Sequence, residues 1–152
     1  MQSIQRTLEG QVGVARMALR VCFGAVPLLA GLDKYFNLLA DWPHYLSPLA
    51  LSLLPVAPST AMHVIGVVEI AVGIAVFSRW TLIGSLVAAV WLVAIALNLI
   101  AAGFFDIAVR DLVLAVAAYT LACLTAQHAA AAAHPEQILQ RAERVTGART
   151  AA

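Results

Sequence analysis

The stretch WTLIGSLVAAVWLVAIALNLIAAGFF, residues 80–105, carries no charged side chain over about 26 residues, more than the roughly 20 a helix needs to cross a bilayer. An uninterrupted apolar run of that length has one stable home. In hydrocarbon every backbone N–H and C=O must be satisfied within the segment, and a helix does this. Three further apolar segments flank it in the chain, at about residues 12–35, 61–78 and 107–127, with 80–102 as the third span in order. The expected fold is therefore all-α, an integral membrane four-helix bundle with a connection on the outside between helices 1 and 2. Residues 1–152 form a single transmembrane domain, with a short tail from about residue 128.

Composition agrees, since 62% of the residues are hydrophobic, only 11% are charged, and the mean hydropathy is +0.91; soluble domains carry about 25% charge. Four spans use nearly the whole chain, so no separate soluble catalytic domain fits, and any chemistry sits in the bundle, at its rims or on a partner. A formal net charge of +1 without a basic run argues against nucleic acid. The lipid bilayer is the first partner.

The second and third spans are almost continuous, so Ser78, Arg79 and Trp80 must form a tight hairpin. Gly103, Phe104 and Phe105 turn the chain at the other end, leaving Asp106 as a helix N-cap. Arg6, Arg16, Arg79, Arg141, Arg144 and Arg149 then fall on one side, which the positive-inside rule makes cytoplasmic. Both termini are expected inside, in a bacterial inner membrane, and residues 36–60 outside. That connection carries an aromatic belt (Phe36, Trp42, Tyr45), and its four prolines favour short pieces lying along the surface as a rigid lid, with a ligand-contacting surface as the alternative. Arg16 and Arg20 interrupt the first segment and no small-residue cleavage site follows, so it is expected to be retained rather than removed as a signal peptide. After Pro135, the spacing of Ile138, Leu139, Ala142 and Val145 suggests a short amphipathic surface helix, with fraying as the alternative.

Helical spacing gathers the unusual residues. Gly13, Arg16, Arg20, Gly24, Pro27, Gly31 and Lys34 share one face of the first helix; Gly66, Glu69 and Gly73 form a stripe on the second. On the third, Gly84, Ala88, Trp91, Ile95 and Asn98 follow the same steps, so Asn98 points inward. Counting from the outer ends at 1.5 Å per residue puts Glu69 about 12 Å deep, Asn98 and Arg110 about 5–7 Å deep and Lys34 near the rim. Lys34, Glu69, Asn98, Arg110 and Asp111 thus form a candidate polar site in the outer half of the membrane, with Asp33, His63 and Asp106 at its mouth. A carboxylate there must find a partner, reach water or hold a proton. Glu69 is expected to pair with Arg110, or with Arg20 from below, and Asp111 with Lys34. Ion pairs that merely fix helix register remain the alternative to a ligand site.

Absent chemistry narrows the field. Cys22 and Cys123 are solitary, without a Cys-x-x-Cys pair, and read as small core residues. His44 and His63 could meet outside, but no further ligand stands at metal or haem spacing, and no metal is expected. There is no nucleotide-binding glycine loop or metalloprotease motif.

Arg20 with Gly24, the Gly-Leu-Asp-Lys run 31–34, the Gly-x-x-Glu-Ile-x-x-Gly stripe 66–73 and the Arg110-Asp111 start of the last helix, in this order on four spans, resemble the DoxX-like family of small membrane proteins over about residues 15–124. The resemblance implies a bacterial four-helix membrane protein. Named members include a membrane subunit of a thiosulfate:quinone oxidoreductase, and others are linked to oxidative or thiol stress. By that analogy the chain is expected to be an accessory subunit that binds a quinone-like molecule and supports a membrane oxidoreductase partner. No cofactor is firmly implied, since no electron-carrying group is present. A structural or assembly protein is the alternative, with a homo-oligomer open in either case. A proton-coupled transporter is disfavoured, because four short helices give little room for alternating access.

Overall fold

The computed structural model describes residues 2–133. Five helices follow in order, α1 (Gln2–Asp33), α2 (Pro48–Leu53), α3 (Pro58–Phe77), α4 (Thr81–Ala102) and α5 (Phe105–Ala133), with a 3₁₀ turn at Trp42–Tyr45. Four of them, α1 from Thr7 onward, α3, α4 and α5, are long and apolar enough to cross a membrane. The chain is a multi-pass membrane protein and an all-α bundle. Its large apolar side chains accordingly point outward as well as inward: Val26, Val67, Val90 and Val116 are more than half exposed on the helix surfaces where lipid lies.

Consecutive spans run antiparallel, so both described ends lie on the side of the α3–α4 hairpin, called here the termini side; the 34–57 connection marks the loop side. Helices pair as α1 with α3 and α4 with α5. Glycines set the first pairing, since a Cβ on Gly31 would stand 2.6 Å from Gly66 O, and one on Gly73 would stand 2.7 Å from Gly24 O. The two backbones touch where the small-residue stripes cross. Where all four helices converge, Phe23, Val72, Val76, Ala88, Ala118 and Leu121 form the central apolar layer.

The joins follow local chemistry. At the hairpin, Thr81 Oγ1 donates to Val76 O and Ser78 O, both at 2.9 Å, and Trp80 N donates to Ser78 Oγ at 3.1 Å. Arg20 then reaches across from α1 and donates to Val76 O at 3.1 Å, Phe77 O at 2.7 Å and Ser78 O at 2.9 Å, so one guanidinium satisfies the carbonyls that end α3. On the loop side α4 ends at Gly103, whose φ of 87° is the left-handed cap geometry that glycine adopts without strain.

Several boundaries differ from the sequence reading. α1 begins near Gln2, about ten residues before the expected span, and α5 continues past Gln127 to Ala133 on a run of alanines, the strongest helix former. Asp106 is the second residue of α5, inside its first turn, where its charge suits the helix dipole but does not cap it. Cys22 is exposed on α1 rather than in the core, and Cys123 is partly buried. The amphipathic segment after Pro135 lies outside the described residues.

Candidate functional site

Where α1 meets α3, the polar residues come together through the direction in which helical side chains lean. Lys34 lies three residues beyond Gly31 and Glu69 three residues beyond Gly66. In antiparallel helices that separates their Cα atoms by about 9 Å along the axes. Each side chain, however, tilts back toward its own helix N-terminus, so the two converge on the glycine crossing. Lys34 Nζ meets Glu69 Oε2 at 2.5 Å, with side chains only 5% and 9% exposed. Glu69 therefore pairs with Lys34, not with Arg110 or Arg20. Arg20 is occupied by the end of α3, and the Arg110 side chain is 66% exposed and points away from the centre.

The connection covers this pair. The Asp33 carboxylate accepts from Leu38 N and Leu39 N, both at 3.0 Å, and from the Trp42 indole Nε1 at 2.7 Å. It folds the chain back as α1 ends, and Asn37 takes the left-handed conformation that asparagine tolerates, with φ 51°. Trp42 is thereby set with its ring 3.8 Å from Lys34 Nζ, a cation–π contact on the face not taken by Glu69. Asp33 is a buried structural anchor of the loop rather than an open rim residue.

Asn98 does face inward, but its partners are the connection. It accepts from Ser47 N at 3.0 Å and donates to Tyr45 O at 2.8 Å, pairing with the loop backbone as a neighbouring strand would. Ser47 in turn caps α2, its hydroxyl accepting from Ala50 N at 3.0 Å. Tyr45 and His44 pack edge-on against Phe104 in the α4–α5 turn, at 5.0 and 5.4 Å between ring centroids. His63 instead stacks on Tyr35 at 4.7 Å, so the two histidines belong to separate aromatic contacts and do not meet. Asp106 is exposed.

Asp111 is buried, 6% exposed, yet its ion pair is with its neighbour Arg110, at 3.4 Å, and not with Lys34. Lys34 and Glu69 both lie within electrostatic reach of it. The centre thus holds two buried carboxylates, Glu69 and Asp111, and one buried ammonium, that of Lys34, which is hydrogen-bonded to Glu69. Trp91 adds a group that sequence spacing did not single out as a donor. Its Nε1 is buried without a hydrogen-bond partner. By helical rise, Trp91 lies about 15 Å from the hairpin end of α4 and Glu69 about 12 Å from that end of α3, so they share a depth. The ring also borders an open apolar groove of about 290 Å³ with Leu86, Val87 and Val90 on the lipid face of α4.

The structure therefore brings Lys34 and Glu69 into contact with Asp111 within electrostatic reach, leaves the Arg110 side chain largely exposed, and assigns Asn98 and Asp33 to the loop. Comparison with known proteins gives no matching family model, no matching curated protein and no matching solved structure. The family resemblance accordingly rests on the motifs quoted above.

Proposed function

We propose that this chain is a DoxX-type accessory subunit of a bacterial inner membrane, with both termini cytoplasmic, whose Lys34–Glu69–Asp111 centre binds a quinone-like small amphiphile and supports a membrane oxidoreductase. The observation that carries the reading is the centre itself: a buried Lys34–Glu69 pair lies under an indole with a second buried carboxylate, Asp111, within electrostatic reach, at a depth where ionised groups are costly. The residues suit such a ligand. A ring carbonyl accepts hydrogen bonds, and the unpartnered Trp91 N–H and the Lys34 ammonium are donors for it. Trp42 offers an aromatic face, and the groove along Leu86, Val87 and Val90 gives an apolar tail a place on the lipid side.

A specific observation also favours the structural reading. Lys34 is in direct contact with both Glu69 and Trp42, and the hydrogen bonds of Asn98 and Asp33 tie down the loop. On this reading the pair fixes the α1–α3 register and the chain serves assembly.

One experiment separates them. The exchange Lys34→Glu with Glu69→Lys keeps the pair but reverses its direction. Wild-type and exchanged protein are purified from native membranes, the lipids extracted, bound quinone and copurifying subunits identified, and a deletion strain complemented under thiol or oxidant stress. Ligand binding predicts a folded, inserted protein without bound quinone or complementation. Full complementation by the exchanged protein, or wild-type protein devoid of quinone, favours the structural reading.

A further inference from the structure

The face of α1 that packs on α3 continues toward the termini side through Arg20, Arg16 and Gly13, and there its surroundings change. A Cβ at Gly24 would collide with the Phe77 ring at 2.5 Å and one at Gly31 with Gly66 O at 2.6 Å, whereas one at Gly13 meets nothing within 4 Å. Protein covers the upper part of this face and leaves the lower part open. Arg16 sits at the boundary.

Arg20 and Arg16, one turn apart, have opposite fates. Arg20 is fully used by three carbonyls at the end of α3. Arg16 is half-buried, and its Nε is shielded from solvent without any acceptor. A buried N–H on a charged group is costly to leave unmade, more so than a neutral one. Among the described residues the only acid on the termini side is Glu9, exposed and about 10 Å further along the same helix face. Of the remaining described acids, Asp33, Asp41, Asp106 and Asp111 stand within the loop-side half or beyond it, and Glu69, near the middle of α3, is taken by Lys34. Arg79, exposed in the hairpin, adds to the positive charge at this end.

Depth identifies the counter-ion. Arg20 touches the last carbonyls of α3, where the apolar span ends, and Arg16 lies about 6 Å further out, at the level of the headgroups. The planar guanidinium fork matches a phosphate, and the unbalanced positive charge selects a lipid of net negative charge. We propose that Arg16 binds the phosphate of an anionic phospholipid in the termini-side leaflet, with an acyl chain lying along the open face of α1 beside Gly13. This site is separate from the Lys34–Glu69 centre and does not depend on what that centre binds.

The test uses the full chain in bilayer discs of phosphatidylcholine with or without phosphatidylglycerol, reading retained lipid by native mass spectrometry and Tm by thermal unfolding. Wild-type protein is expected to retain phosphatidylglycerol over phosphatidylcholine by about fivefold or more, and to gain Tm from it. Arg16→Gln loses both effects. Arg16→Lys keeps the charge but loses the fork and retains less lipid than wild type, while Arg79→Gln, which removes an exposed charge, behaves as wild type. Equal retention of the two lipids by wild-type protein overturns the proposal, as does undiminished selectivity in Arg16→Gln. Should Arg16→Gln not fold, loss of selectivity in Arg79→Gln with full selectivity in Arg16→Lys overturns it equally.

Discussion

The Asp33 carboxylate holds the Trp42 indole by its N–H at 2.7 Å, and that indole lies 3.8 Å from the ammonium of Lys34, the residue next to Asp33 in the chain. Two adjacent residues of opposite charge thus grip one aromatic ring, by its edge and by its face. The loop is tied to the same point where α1 and α3 exchange their buried charges, so the lid and the helix pair are one mechanical unit.

Removing either member of the Lys34–Glu69 pair strands a charge in the membrane interior. Glu69→Gln and Lys34→Met are each expected to cost about 3–5 kcal/mol, and the double variant to recover part of the loss. A double-mutant cycle by unfolding in detergent measures the coupling. The same cycle between Glu69 and Arg110 is expected to be additive within about 0.5 kcal/mol, because the exposed Arg110 side chain makes no contact with Glu69; coupling there with additivity at Lys34 would reverse the assignment.

At the glycine crossing, Gly66→Ala places a methyl 2.6 Å from Gly31 O, a backbone atom that cannot move aside alone. The expected loss is about 1–3 kcal/mol. Gly13→Ala, in open space within a helix, is expected to be neutral or to gain up to about 1 kcal/mol. Comparing the two Tm values distinguishes close packing from a general intolerance of glycine substitution; equal effects would refute the packing account.

How much of this was legible in the sequence depends on which atoms the pattern describes. Length and apolarity placed the four spans, and the glycine and hairpin residues placed the turns, because those features act through backbone geometry. Partner choice at Glu69 was missed because depth counted at Cα ignores the backward lean of helical side chains, which carries Lys34 inward and Glu69 outward by several ångströms in total. Asn98 was assigned to the polar centre on its helix face, and Asp33 to its mouth. Their true partners are backbone groups of an irregular loop, which no periodicity reports. Trp91 stood on the right stripe, but an unpartnered N–H is visible only after every neighbour has been placed.

Loss of the Asn98 amide removes two loop contacts. Asn98→Leu is expected to cost about 1–3 kcal/mol and to speed hydrogen exchange at Ser47 N, which donates to it at 3.0 Å, while leaving exchange in the centres of α3 and α4 unchanged. Uniform acceleration across all helices would instead indicate global destabilisation.

The arginines near the termini side predict that this side faces the cytoplasm. Ser52 is exposed on α2 and suits labelling, whereas Ser47 is 2% exposed and does not. Ser52→Cys is expected to react with an impermeant thiol reagent from outside intact cells, in a Cys22→Ala, Cys123→Ala background. Reaction only after the membrane is breached would invert the topology.

The Asn98 contacts also set an order of events during synthesis. The groups it holds on Tyr45 and Ser47 leave the ribosome 53 and 51 residues earlier, so the connection has no latch until the third span has been made and inserted. Until then the lid between the first two spans is held only by the grip of Asp33 and Lys34 on Trp42 and by the packing of Leu46 against Ala61 and Met62. Closure of the loop therefore reports that α4 has arrived, and a chain that stalls before Asn98 displays an unlatched loop at the membrane surface.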